Sequence, residues 1–172
     1  MIAIIPILLI GAIFAWLDSV TIVIAGGTEV SFTTESVSWG TGSVTVGGTT
    51  CTLDTEGTTT GCTGFTTVNA PLVIENIGDN DVKLDLKSSK NADEFIGGTG
   101  STFKWKMTAG EADSCTDITP VDYTNVTKTD TRVCSTFYTL TTKDTLEVDL
   151  EIVIPSDTTA EAKSATITAT AT

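Results

Sequence analysis

Met1-Ile-Ala-Ile-Ile-Pro-Ile-Leu-Leu-Ile-Gly-Ala-Ile-Phe-Ala-Trp-Leu17-Asp18-Ser19-Val20-Thr21-Ile22-Val23-Ile24-Ala25-Gly26-Gly27 is the stretch on which the fold turns. Its first seventeen residues are uncharged and apolar, and the first Lys or Arg anywhere in the chain is Lys83. A secretory signal peptide has a basic n-region before its apolar core and a small-residue cleavage site after it. With nothing basic ahead of the run, the chain reads as processed just upstream of Met1 or as given without its basic leader, and the apolar N-terminus is expected to belong to the mature molecule. As a helix, residues 1–25 would extend about 37 Å, enough to cross a hydrocarbon core of about 30 Å. Pro6 fits the first turns of such a helix, where backbone N–H groups lack partners. Asp18 opposes a simple span, because a carboxylate in a membrane is costly. Either the helix stops near Leu17 and Val20–Ala25 becomes a strand, or Asp18 faces protein.

Beyond Gly27 the composition changes to a Thr-rich, acidic text. Across the 172 residues there are 22 acidic and 9 basic side chains, no His, and a net charge of −13. That balance excludes nucleic acid, whose phosphates need a Lys/Arg surface. The abundance of β-branched residues favours strands. Short alternating pieces around Val30, Val37 and Val44 are separated by glycine turns. From Pro71 the alternation is cleaner. Leu72-Val73-Ile74 leads through Gly78-Asp79-Asn80-Asp81 to Val82, Leu84 and Leu86, which reads as a hairpin. Phe103, Trp105 and Met107 alternate with Lys104 and Lys106. Leu146, Val148, Leu150, Ile152 and Ile154 alternate with Glu147, Asp149 and Glu151 until Pro155 ends the ladder. These patterns predict an antiparallel sandwich of two sheets over residues 26–172, with residues 1–25 as a separate hydrophobic segment.

Cys51, Cys62, Cys115 and Cys134 form an even set without a CxxC spacing. With no His to complete a mixed zinc site, disulfides are the better reading. Three connectivities are possible; Cys51–Cys62 and Cys115–Cys134 are the local ones, each worth about 3 kcal/mol in the chain-entropy model. Disulfides imply an oxidising, extracytoplasmic setting. The lack of His also removes Ser-His-Asp and Cys-His catalysis and His-based metal ligation. Glu147 and Glu151 are candidate paired carboxylates for glycoside hydrolysis, but they sit among the solvent-facing charges of a regular strand. Asp79-Asn80-Asp81, and Glu111 with Asp113 and Asp117, offer oxygens for Ca²⁺ without EF-hand spacing, and an Asx-rich turn accounts for the first. No enzyme activity and no cofactor are expected. Asn125-Val126-Thr127 is an N-glycosylation sequon, expected on a secreted surface.

An apolar segment starting at residue 1 with no charge before it, a Thr/Ser/Gly-rich strand region, and the run from Leu72 to Leu86 together resemble the archaeal type IV pilin class. Pro6 is similar to the early proline of some archaeal pilins. Ile152-Val-Ile-Pro-Ser-Asp157 and Ser164-Ala-Thr-Ile-Thr168 resemble the last strands of archaeal Ig-like surface domains. The resemblance implies a mainly β protein with an N-terminal hydrophobic α-helix and an Ig-like sandwich head. It further implies a homo-polymer of identical subunits, held in the membrane before assembly and in an extracellular adhesive filament afterwards. Ile2, Ile5, Leu8, Leu9, Ile13, Phe14 and Leu17 would carry that assembly. Two other readings compete: a membrane-anchored monomeric surface domain that binds a glycan or partner, and a filament in which Val20–Ala25 or the N-terminal segment inserts as a strand into a neighbouring sandwich.

Overall fold

Leu146, Val148, Leu150, Ile152 and Ile154 are all buried, and they make β13 (Thr145–Pro155) the spine of the molecule. The computed structural model describes residues 16–25, 29–34 and 36–172. The other strands are β1 (Trp16–Ala25), β2 (Val30–Phe32), β3 (Ser36–Val44), β4 (Thr50–Asp54), β5 (Thr59–Thr60), β6 (Cys62–Thr63), β7 (Leu72–Asn76) and β8 (Val82–Ser88), followed by β9 (Thr102–Ala109), β10 (Cys115–Thr116), β11 (Thr124–Asn125), β12 (Thr131–Phe137) and β14 (Lys163–Ala171). One sheet runs β10-β12-β8-β14-β1-β3-β6. The other runs β11-β9-β13-β4-β5, with β7 and β2 joined beside β4. One edge of β13 pairs with β9 along 146–153; the other pairs with β7 at 145–148 and then with β4 at 151–155. Alternation in the long strands sends their apolar side chains inward, so the two sheets share one core.

Three expectations are corrected. Among the described residues there is one helix, α1 (Ala92–Phe95), capped by Asn91 and Glu94 in a capping box. The expected N-terminal hydrophobic α-helix is overturned where the chain is described: Trp16 and Leu17, its last residues, open strand β1. Ile2, Ile5, Leu8, Leu9, Ile13 and Phe14 lie outside the described residues. Trp16–Ala25 therefore belongs to the sandwich and not to a separate segment. Second, the sandwich is not purely antiparallel, because β1 runs parallel to β14. Third, Leu72–Leu86 is not a hairpin. β7 pairs with β13 and β2 while β8 pairs with β12 and β14, so the chain crosses from one sheet to the other between them. Buried Asn76 holds this crossing: its Nδ2 donates to the carbonyls of Asn80 (3.1 Å) and Phe137 (3.0 Å), and its Oδ1 accepts from Gly78 N (3.1 Å).

Candidate assembly site

β1 lies in mid-sheet. Residues Val20–Ala25 are in parallel register with Lys163–Thr168 of β14, and on its other side β1 pairs antiparallel with β3, from Trp16↔Ser43 to Val23↔Ser36. Leu17, Val20 and Ile22 are fully buried, as are Trp39 of β3 and Ile167 of β14. Ile22 is flanked by Val37 on one side and Ala165 on the other. At about 1.5–3 kcal/mol for each large apolar side chain, the three inward residues of β1 contribute about 4–9 kcal/mol of burial. Without β1, the slot would expose this apolar floor and two unpaired strand edges.

The local sequence explains how β1 seats itself. Between Leu17 and Val20 the strand advances three residues while β3 advances two, and β3 recovers the offset between Gly40 and Ser38. This double irregularity places Leu17, Val20 and Ile22 on one face despite their uneven spacing. Gly40 takes φ +70, and a Cβ at Gly42 would lie 2.5 Å from the Phe65 ring. Glycine is therefore required at both positions opposite β1.

Each half of the sheet that β1 bridges is secured without it. On one side β6 pairs with β3, and Cys51–Cys62 ties β6 to β4 of the other sheet. The Trp39 indole also donates to the Asp54 carbonyl (3.1 Å). On the other side Cys115–Cys134 ties β10 to β12, and Arg132 makes a bidentate ion pair with Asp85 of β8 (2.6 and 3.1 Å). Both disulfides are the local pairings, and together they indicate an oxidising setting.

The remaining candidates are dispersed. Asn125 is exposed on β11. Glu151 is neutralised by Lys104 at 2.8 Å, and Glu147 accepts from Thr108 at 3.4 Å. Asp81 accepts the Thr139 backbone N–H, and Glu111 that of Asp144. Among the described residues no group of three or more Asp, Glu, His or Cys has metal-site geometry, and no helix is long and apolar enough to cross a membrane.

Sequence reasoning missed one polar cluster on the outer face of the β13 sheet. Lys106 pairs with Glu56 (2.7 Å), the Tyr123 hydroxyl donates to Glu56 (3.0 Å), and Lys106 lies over the Tyr123 ring, 4.8 Å from its centroid. Thr55 donates to Asp149 (3.0 Å). Burial pushes the Tyr123 hydroxyl well above its ordinary pKa and raises that of Asp149, while the hydrogen bond to Glu56 holds Lys106 protonated. These contacts tie the segment around Tyr123 to the sheet. The Asp149↔Lys106 register was legible as outward alternation; the partners Thr55, Glu56 and Tyr123, from distant parts of the chain, had no periodic signal.

No protein-family model matches the chain, and no curated protein matches it.

Proposed function

We propose that this chain is a structural subunit of an extracellular surface filament, serving adhesion, in which β1 of one copy fills the slot between β3 and β14 of the next. The observation that carries the reading is the position of β1. It is buried in mid-sheet between two halves that are secured independently, yet it joins the sandwich in sequence only through residues 26–29. Every other described strand follows β1 in sequence, so β1 can pass to another copy without re-threading any of them. The connector begins Gly26-Gly27, residues that adopt either hand of φ at little steric cost. If each copy gives β1 to one neighbour and receives β1 from another, the joint is heterologous and repeats without closing. The strand in place of a helix moves the joint from a helical bundle to a β-ladder, whose main-chain bonds supply affinity and whose buried side chains supply register.

The two disulfides support an extracellular setting. The net charge of −13 makes neighbouring copies repel, which requires an apolar, hydrogen-bonded joint such as this one and favours assembly at salt concentrations that screen charge beyond about 10 Å.

Thr21 and Ser38 face each other across the β1–β3 pair, with their hydroxyls 3.4 Å apart, and all four native cysteines are already paired. Thr21→Cys and Ser38→Cys single variants, mixed before assembly and oxidised, are expected to cross-link between copies. The doubly substituted chain is expected to give a ladder on non-reducing gels. Cross-links confined within one chain, closed dimers only, or a detergent-solubilised monomer that never assembles would each overturn the reading.

A further inference from the structure

We propose that Asn125 carries an N-linked glycan whose first sugar residue lies in a polar hollow beside it. The inference rests on the reading of the chain as an exported subunit. Asn125-Val126-Thr127 is a sequon whose residues the fold separates cleanly. Val126 is buried and its N–H donates to the Phe103 carbonyl at 3.0 Å, so Asn125 is turned to the outside of β11. The Asn125 carboxamide has no hydrogen-bond partner among the described residues.

Asn125 stands on the wall of a hollow of about 350 Å³ between the start of α1 and the start of β9. That volume falls within the range of small-ligand clefts, about 300–1,000 Å³. Asn91, Asp93 and Ser101 contribute polar groups to it. A sugar, with donors and acceptors around its ring, matches that polar lining, and Asn125 stands at its edge.

The chemistry requires a polyprenyl-phosphate-linked oligosaccharide as donor. The Asn125 amide nitrogen forms a bond to the anomeric carbon while the bond from that carbon to the phosphate oxygen breaks. The lipid phosphate leaves with the electron pair, and the amide proton passes to a base of the transferring enzyme. In the folded chain the Thr127 hydroxyl, which such an enzyme reads, is bonded to the Thr129 carbonyl (2.8 Å) and lies 2.7 Å from the Thr131 hydroxyl. Transfer therefore precedes closure of the 127–131 turn.

The test is peptide and intact mass analysis of the protein recovered from the cell surface of its source. A glycan mass on the peptide containing Asn125 is expected, absent in Asn125→Gln and Thr127→Ala and kept in Thr127→Ser. In the glycosylated protein, amide hydrogen exchange over residues 91–103 is expected to be several-fold slower than in Asn125→Gln. Unmodified Asn125 on exported, disulfide-bonded chains overturns the proposal, and equal exchange rates overturn the seating of the sugar. Failure of the filament reading shows separately, as intact glycopeptide from material that micrographs show to contain no filaments.

Discussion

Truncating Ile22 to Ala tests whether β1 is the joint between copies. Ile22 is fully buried, between Val37 of β3 and Ala165 of β14. The change removes three carbons, about 2.4 kcal/mol of transfer free energy at roughly 0.8 kcal/mol each. The cavity left in a slot whose strands are held in register adds to this, for a total of about 3–4 kcal/mol. At 1.4 kcal/mol per tenfold, a joint made by this strand weakens by about two to three orders of magnitude. Thr21, half-buried on the opposite face, is the control, since Thr21→Ala loses only a 3.4 Å hydroxyl contact and is expected to cost less than about 0.5 kcal/mol. The assay is the critical concentration for assembly, measured by sedimentation, beside urea unfolding followed by tryptophan fluorescence, to which the fully buried Trp39 beside the slot contributes. Measured against unassembled subunits whose own β1 is out of the slot, Ile22→Ala is expected to raise the critical concentration at least a hundredfold and Thr21→Ala to leave it near wild type. A critical concentration unchanged in Ile22→Ala, with only the unfolding midpoint lowered, would show that β1 stays in its own copy and that the joint lies elsewhere.

Gly42→Val is expected to lower the thermal midpoint markedly, by a loss of at least about 1–3 kcal/mol, because even its Cβ would lie 2.5 Å from Phe65 ring carbons and 2.7 Å from the Phe65 backbone nitrogen; a melt like wild type would refute the packing described here. Asp144 is buried, and burial together with the neighbouring Glu111 carboxyl raises its pKa above the ordinary aspartate value. A raised folded pKa means that the native state holds the proton more tightly than the unfolded chain does. The stabilisation is complete below the ordinary aspartate value and is lost as the pH climbs through the raised one. Asp144→Asn, which cannot ionise, is expected to flatten the fall of the urea midpoint across that window and to match or exceed wild type at pH 7. An unchanged pH slope would show that Asp144 is not the group responsible.

The elements that sequence patterning reads correctly are those with one buried and one exposed face. In β13, β9 and β8 the apolar set recurs at every second residue, because each strand meets the core on one side only. β1 breaks this rule. Its bulge brings Leu17 and Val20, three apart, onto the same face, a spacing that resembles a helix, and the strand continues directly from an uncharged apolar run. The crossing between β7 and β8 shows a different limit. Gly78-Asp79-Asn80-Asp81 encodes a reversal of the chain but not the partner each flanking strand will choose, and that choice depends on β13 and β14, some seventy residues later. The Asp149–Thr55–Tyr123 cluster was hidden for the same reason, since its members come from three distant parts of the chain.

The slot has a consequence for how assembly and folding relate. Removing β1 splits its sheet into β10-β12-β8-β14 and β3-β6, and each half keeps ties that do not involve β1. The β3-β6 half keeps Cys51–Cys62 and the Trp39 bond to Asp54, and Thr66 N still donates to the Trp39 carbonyl at 2.8 Å. The larger half keeps the full β12-β8-β14 ladder, Cys115–Cys134 and the Arg132–Asp85 pair. Each disulfide closes a local loop and contributes about 3 kcal/mol to this frame in the chain-entropy model, and neither cross-link includes β1. The free energy of filling the slot is therefore largely separable from that of building it. A subunit organised in this way can hold an acceptor groove in shape until a strand arrives. A subunit with its slot open takes up β1 of another copy at a free energy set by buried Leu17, Val20 and Ile22, and the concentration of copies decides how often strand and slot meet.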